Sequence, residues 1–139
     1  MGLDLCCKGF DGIKMGSYST VQQIRKHWIQ AYIDYLKSIN KPIQALENTI
    51  LFKGIDYDKF ENLRCYEEGF HGLNAFVNHS DCEDMWTFEE IKDILETLKL
   101  IKPFLKPLTF EWHFVSDTQY YLEEMFEYAV KEKEDIYFC

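Results

Sequence analysis

The densest group of chemically capable side chains in this sequence lies in one seven-residue stretch, residues 78–84. It contains four candidate site residues, His79, Ser80, Asp81 and Cys82, together with further carboxylates. Such side chains can bind a metal ion, or they can place a base beside a nucleophile. Their spacing matches no zinc motif, so we predict no metal and no other cofactor here. The alternative is a structured turn, because Asp and Ser side chains can cap backbone NH groups.

A second candidate site lies at the Gly-Ser-Tyr-Ser sequence of residues 16–19, where the first helix is predicted to begin. The unpaired NH groups at a helix N-terminus favour an anion. Ser17, Tyr18 and Ser19 are therefore candidate ligand-binding residues, and Arg25, six residues after Ser19, is included with them. Ordinary capping is the alternative, because serine is favoured at the N-cap for that reason alone.

Asp4 is the third candidate, because it lies within an apolar segment. A carboxylate that is buried in a strand needs a partner, whereas one on an exposed edge does not. His27 and His113 lie beside aromatic residues in apolar runs. We expect both to be hydrogen-bonded core or boundary histidines rather than ligands.

The elements that must position these groups are predicted from the spacing of apolar residues. Alternation predicts a strand over residues 2–7, and a glycine-rich loop follows over residues 8–16. Ser19, with Gln22 three residues later, predicts the capped start of a helix. The apolar face of this helix recurs at three- and four-residue spacing until the Asn-Lys-Pro sequence at residues 40–42 ends it.

The middle of the chain alternates between short elements and turns. The pattern predicts a short helix over residues 43–50, a polar turn over 53–59, a strand over 63–67, a helix over 70–78 and a loop over 79–86. The first candidate site therefore lies in a loop between two helices.

The C-terminal third contains the strongest helix signals. Thr87 and Glu90 form a second capping box, before a helix that prolines end. Residues 109–115 fit either a strand or a helix, because short aromatic runs satisfy both periods. A helix over residues 117–131 and a last strand over residues 136–139 complete the chain.

Together these elements predict an α+β fold in a single domain, residues 1–139, with four or five helices packed on a small sheet formed by the N- and C-terminal strands. A hydrophobic fraction of 47% supplies enough material for one core. The residues predicted to lie in that core are Ile24, Trp28, Tyr32, Leu36, Phe76, Leu95, Leu98, Leu122 and Met125.

The composition restricts the classes of function. A net charge of −9 disfavours nucleic acid and anionic membranes as partners, because both are themselves negative. No signal-peptide pattern is present, and no apolar run approaches the roughly 18 residues of a membrane span. The five cysteines are an odd number without a Cys-x-x-Cys pair, so we expect reduced thiols and no structural disulfide. These features predict a cytoplasmic protein, of the producing or infected cell.

Three short motifs come in a particular order: the Met-Gly-Leu-Asp start, the Gly-Ser-Tyr-Ser turn and the His-Ser-Asp-Cys loop. In this the chain resembles a set of small uncharacterised bacterial and viral proteins. The resemblance implies that the two loops belong together, and it implies no particular reaction. In those proteins the second loop usually continues with an acidic residue and then glycine, whereas here Glu83 is followed by Asp84. If that glycine allows close backbone approach to a ligand, its replacement argues against a ligand at this loop.

Two hypotheses of function follow from these residues. The first is a non-enzymatic binding protein that recognises a protein or small-molecule partner through the face holding residues 16–19 and 79–84. The second is a small hydrolase or nucleotide-processing enzyme, with His79 as base, Asp81 orienting it, and Cys82 or a metal-bound water as nucleophile. The binding protein is our prediction, because the cluster lacks a credible catalytic spacing.

Overall fold

The protein has an α+β fold, in which helices pack against a four-stranded antiparallel sheet. The computed structural model describes residues 2–52, 54–65, 67–78, 85–105 and 113–138. In chain order its strands and α-helices are β1 (Gly2–Cys7), β2 (Phe10–Ser17), α1 (Tyr18–Ser38), α2 (Gln44–Glu47), β3 (Ile50–Leu51), β4 (Gly54–Ile55), α3 (Tyr57–Glu61), α4 (Phe70–Val77), β5 (Met85–Trp86), α5 (Phe88–Ile101), α6 (His113–Glu132) and β6 (Ile136–Phe138). Across these ranges, no helix is both long enough and apolar enough to cross a membrane.

The N- and C-terminal strands belong to one sheet, as the sequence predicts, and they form its centre. The strand order is β2-β1-β6-β5, and every neighbouring pair is antiparallel. Leu5 pairs with Phe138 and Cys7 with Ile136, which sets the register of β1 and β6. Alternation along the strands buries Leu5, Cys7 and Ile136, whereas Tyr137 points to the other face and is half exposed.

Four aromatic rings fill the space between the helices and the sheet. Trp28 of α1 stacks on Phe76 of α4 with the ring centroids 3.8 Å apart, and Phe76 stacks in turn on Trp86 of β5 at 5.6 Å. Phe126 of α6 meets Trp86 edge-on at 5.7 Å. The indole NH of Trp86 donates to the carbonyl oxygen of Ala75 at 3.1 Å, which satisfies its polar atom. The nine predicted core residues are all buried.

Helices α4 and α5 approach closely because small residues lie between them. Gly72 is buried, and a Cβ at this position would overlap the main-chain carbonyl oxygen of Asp93. The Thr97 hydroxyl donates to the carbonyl oxygen of Gly69 at 2.6 Å and lies 3.1 Å from that of Asp93. Gly69 itself has φ +87°, a conformation that glycine adopts without strain.

The start of α5 confirms the predicted capping box. The backbone NH of Glu90 donates to the Thr87 hydroxyl, and the Glu90 carboxylate accepts from the backbone NH of Thr87. A carboxylate oxygen of Asp135 also accepts from the backbone NH of Phe88 at 2.7 Å. This last bond ties the helix to the segment before β6, 47 residues away.

The predicted loop over residues 8–16 is wrong, because most of it belongs to β2. The loop was predicted from the glycines of this segment. Gly9, with φ +83°, does lie in the turn of the hairpin, but Gly12 has no positive φ and lies within β2. Ser19 is likewise not the N-cap of α1, since that helix already begins at Tyr18.

Three predictions in the middle of the chain are also corrected. The turn predicted over residues 53–59 instead contains β4 and the start of α3. Asp56 caps this helix, because its carboxylate accepts from the Lys59 NH at 3.1 Å. No strand forms among the described residues of 63–67. The loop predicted over residues 79–86 ends in β5, because its last two residues pair with β6.

Other boundaries agree more closely with the sequence. The helix predicted over residues 43–50 is present but shorter. The helices predicted over residues 70–78 and 117–131 and the last strand correspond to α4, α6 and β6. Of the ambiguous segment, residues 113–115 are helical, and residues 109–112 lie outside the described ranges.

The expectation of five reduced thiols is wrong for Cys6, which takes part in a disulfide. An odd number of cysteines still allows one bridge, so the count alone could not exclude it. Cys7 and Cys65 are free. Burial, followed by the negative charges of Glu134 and Asp135, raises the pKa of the Cys7 thiol, which makes it a poor nucleophile.

Candidate functional site

The structure locates only some of the candidate residues. Residues 79–82, which carry His79, Ser80, Asp81 and Cys82, lie outside the described ranges, so a site there stays a prediction. At the second candidate site the backbone alone is described. Ser17 is the last residue of β2, and Tyr18 and Ser19 begin α1.

Strand polarity relates Asp4 to the second candidate site. Ser17 pairs with Gly2, so the junction of β2 with α1 lies at the end of the sheet where β1 begins. Strand β5 runs parallel to β1, since both are antiparallel to β6, but its first residue, Met85, pairs with Tyr137 and therefore lies level with Cys6, away from the start of β1. Asp4 lies on β1 near this end, and its side chain is half-buried.

Arg25 belongs to the packing of α1 against α3. Its side chain is only 4% exposed, and Nη1 donates to the hydroxyl of Tyr57 at 3.5 Å. Arg25 also lies seven residues after the start of α1, which is about 10 Å along the helix axis. The contact with Tyr57 joins the two helices, and a ligand-binding role for Arg25 stays a prediction.

The described residues form a groove along α1, with a volume of about 450 Å³. We call it the α1 groove. It is lined by His27, Gln30, Ala31, Ile33, Asp34 and Lys37 of α1, Glu47 of α2, Ile50 of β3, and Phe104 of the 3₁₀ turn Lys102–Phe104. The groove thus collects residues from four separate segments, and none of the sequence motifs indicated it.

Four polar side chains of the α1 groove have no partner among the described residues. Within the part of the chain that the structure describes, Gln30, Asp34, Lys37 and Glu47 make no side-chain hydrogen bond or ion pair. Ile33 is buried beneath them and Ile50 is half-buried, which gives the groove an apolar floor. A groove with an apolar floor and uncommitted polar groups is typical of a binding site.

A hairpin formed by β3 and β4 adjoins the groove, because Ile50 belongs to both. Directly after β3, Phe52 is 94% exposed, and Leu51 beside it is 47% exposed. We call these two residues the hairpin tip. The ammonium of Lys26 donates to the carbonyl oxygens of Leu51 at 2.8 Å and Phe52 at 3.4 Å. The tip is therefore fastened to α1.

Hydrogen bonds also hold the base of the hairpin formed by β3 and β4. The backbone NH of Asp56 donates to the Thr49 carbonyl at 2.7 Å, and the buried Thr49 hydroxyl donates to the Leu46 carbonyl at 2.6 Å. Gly54 is buried, and a Cβ there would overlap the side chain of Gln22 on α1. A side chain at position 54 would therefore displace the Gln22 amide group, which packs against the hairpin.

A second cleft, of about 410 Å³, lies between α4 and α5. His71 Nε2 is 3.2 Å from a carboxylate oxygen of Asp93 at its mouth, and the His71 side chain is 84% exposed. A carboxylate can orient a histidine as a base, and covalent catalysis would in addition need a side-chain nucleophile. Among the described lining residues Thr97 alone carries a hydroxyl, and it already donates to Gly69.

The described residues also contain no group of three His, Cys, Asp or Glu side chains that could hold a metal ion. No protein-family model matches the chain, and neither a curated protein nor a solved structure is significantly similar to it. The resemblance drawn from the three sequence motifs therefore stays a prediction.

Proposed function

We propose that this chain is a non-enzymatic binding protein that recognises a protein partner through the hairpin tip and the α1 groove. The observation that carries the proposal is the nearly complete exposure of Phe52 on a hairpin that Lys26 fastens in place. The alternative, a small hydrolase that uses His79, Asp81 and Cys82, rests on residues outside the described ranges.

An exposed phenylalanine has free energy to contribute to an interface. Burying such a side chain contributes about 1.5–3 kcal/mol, and aromatic residues are enriched in protein interfaces. Because Lys26 holds the backbone carbonyls of Leu51 and Phe52, less backbone entropy remains to be lost on binding. The tip is therefore suited to act as an anchor.

The α1 groove can give the interaction specificity, in addition to the anchoring contact of the hairpin tip. Uncommitted polar groups beside an apolar floor can distinguish partners by hydrogen bonds and charge, while the apolar contact contributes affinity. The surface predicted from the sequence, which holds residues 16–19 and 79–84, remains a further proposed contact.

Affinity capture from cells of the source organism tests this proposal. The wild-type chain is compared with Phe52→Ser, and with Tyr137→Ser as a control for the loss of an exposed aromatic side chain elsewhere, since Tyr137 is 50% exposed. We expect at least one protein that the wild type and Tyr137→Ser retain and Phe52→Ser loses. Identical sets of proteins for all three chains would contradict the proposal.

A further inference from the structure

The α1 groove has the length of a short peptide segment. His27, Gln30, Ala31, Asp34 and Lys37 recur at three- and four-residue spacing, so they form one face of α1. Ten residues of helix span about 15 Å. At a rise of about 3.3 Å per residue, this length accommodates four or five residues of an extended chain.

The charges of the groove favour a cationic occupant. Among the described residues, Asp34 and Glu47 are carboxylates without an ion-pair partner, and Lys37 carries the opposing charge. The whole chain adds a net charge of −9, which attracts cations towards any part of the surface. Lys or Arg side chains of a partner could therefore pair with the two carboxylates.

The apolar side chains of the α1 groove and the hairpin tip favour an occupant that carries apolar groups as well as positive charge. Ile33, Ile50 and Phe104 lie in the groove, and the hairpin tip continues from Ile50 with Leu51 and Phe52. A ligand that covers both parts must present apolar side chains together with its positive charges.

We propose that the α1 groove binds a short peptide segment of the partner that combines Lys or Arg with apolar side chains. This inference rests on the proposed function and names the chemistry of its partner. The basic side chains pair with Asp34 and Glu47, and the apolar side chains contact Ile50, Phe104 and the hairpin tip.

Titration with defined peptides tests the inference. Three fluorescent twelve-residue peptides are used: one alternates Leu with Lys and Arg, one replaces the basic residues with Glu, and one replaces Leu with Ser. We expect saturable binding of the first peptide alone, with amide chemical-shift changes centred on Gln30, Asp34 and Ile50. Equal binding of the acidic or the Ser peptide would overturn the inference, and so would shift changes confined to other surfaces.

Charge-reversal variants separate the groove from general attraction to an acidic protein. Asp34→Lys combined with Glu47→Lys should weaken binding of the basic peptide about tenfold. Glu127→Lys combined with Glu132→Lys makes the same change in net charge at exposed positions of α6, and should weaken it much less. Equal weakening by both pairs would contradict a specific groove. The isosteric pair of Asp34→Asn and Glu47→Gln should show a smaller loss and provides the comparison if the reversed pair does not fold.

The two proposals can fail separately. If Phe52→Ser loses a cellular partner while the basic peptide does not bind the groove, the function stands and the peptide chemistry is wrong. If the peptide binds the groove while Phe52→Ser retains every cellular partner, the groove is a peptide site but the proposed function is wrong.

Discussion

The substitution Gly72→Ala sets helix propensity against packing. Alanine is about 1 kcal/mol more favourable than glycine in a helix interior, so propensity alone predicts stabilisation. At this position, however, the new methyl group would overlap the Asp93 carbonyl oxygen and the Thr97 hydroxyl. The carbonyl belongs to the backbone of α5 and cannot turn away, so the cost should lie at or above the usual 1–3 kcal/mol, at about 2–4 kcal/mol. We therefore expect a net loss of about 1–3 kcal/mol.

Urea unfolding followed by circular dichroism measures this loss. Gly12→Ala is the matched control, because among the described residues its Cβ would meet the Leu5 carbonyl oxygen alone, at 3.3 Å, and its φ is not positive. We expect the control to unfold close to the wild type and Gly72→Ala to unfold at a lower midpoint. A Gly72→Ala variant as stable as the wild type, or more stable, would refute the close packing of α4 on α5.

Three further predictions concern the core, the α5 cap and the thiols. Trp28→Ala should cost about 3–5 kcal/mol, since the side chain is fully buried; an unmoved urea midpoint would show that Trp28 is not core. Asp135→Ala should cost about 1–2 kcal/mol through loss of the bond to the Phe88 NH, whereas Asp135→Asn, which keeps an acceptor oxygen, should cost less in the same assay. At neutral pH, Cys7 should react with a thiol reagent far more slowly than Cys65, because burial raises the pKa of the Cys7 thiol and blocks access to it. Equal rates for the two thiols in the folded protein would contradict the buried position of Cys7.

Those parts of the fold that depend on local signals could be predicted from the sequence. The Thr87 and Glu90 capping box and the apolar spacing of α5 are properties of a single segment, and both are confirmed. The pairing of β1 with β6 was also predictable, because the two terminal segments have the β pattern and need partners.

Elements that depend on distant contacts could not be predicted in this way. Strand β3 is two residues long, and Lys26 of α1 fastens the residues at and after its end. Strand β5 is equally short and exists because it pairs with β6. Strand β2 was predicted as a loop because of its glycines, since the sequence alone does not show which glycine has a positive φ.

The α1 groove was missed for the same reason. Its lining comes from α1, α2, β3 and Phe104, and ordinary residue types at these positions carry no motif. The exposure of Phe52 also contradicts the usual expectation that a large apolar side chain is buried. Both features depend on tertiary structure, so neither was available to an analysis of spacing.

Photo-cross-linking at the hairpin tip shows whether a partner binds there in the cell. The photoreactive residue p-benzoylphenylalanine is placed at position 52, or at position 137 as the control, in the full chain within living cells of the source organism. We expect a discrete cross-linked protein at position 52 that is absent at position 137. The reversed pair Asp34→Lys and Glu47→Lys should reduce its yield. No adduct at position 52, or the same adducts at both positions, would contradict a partner that binds through this surface.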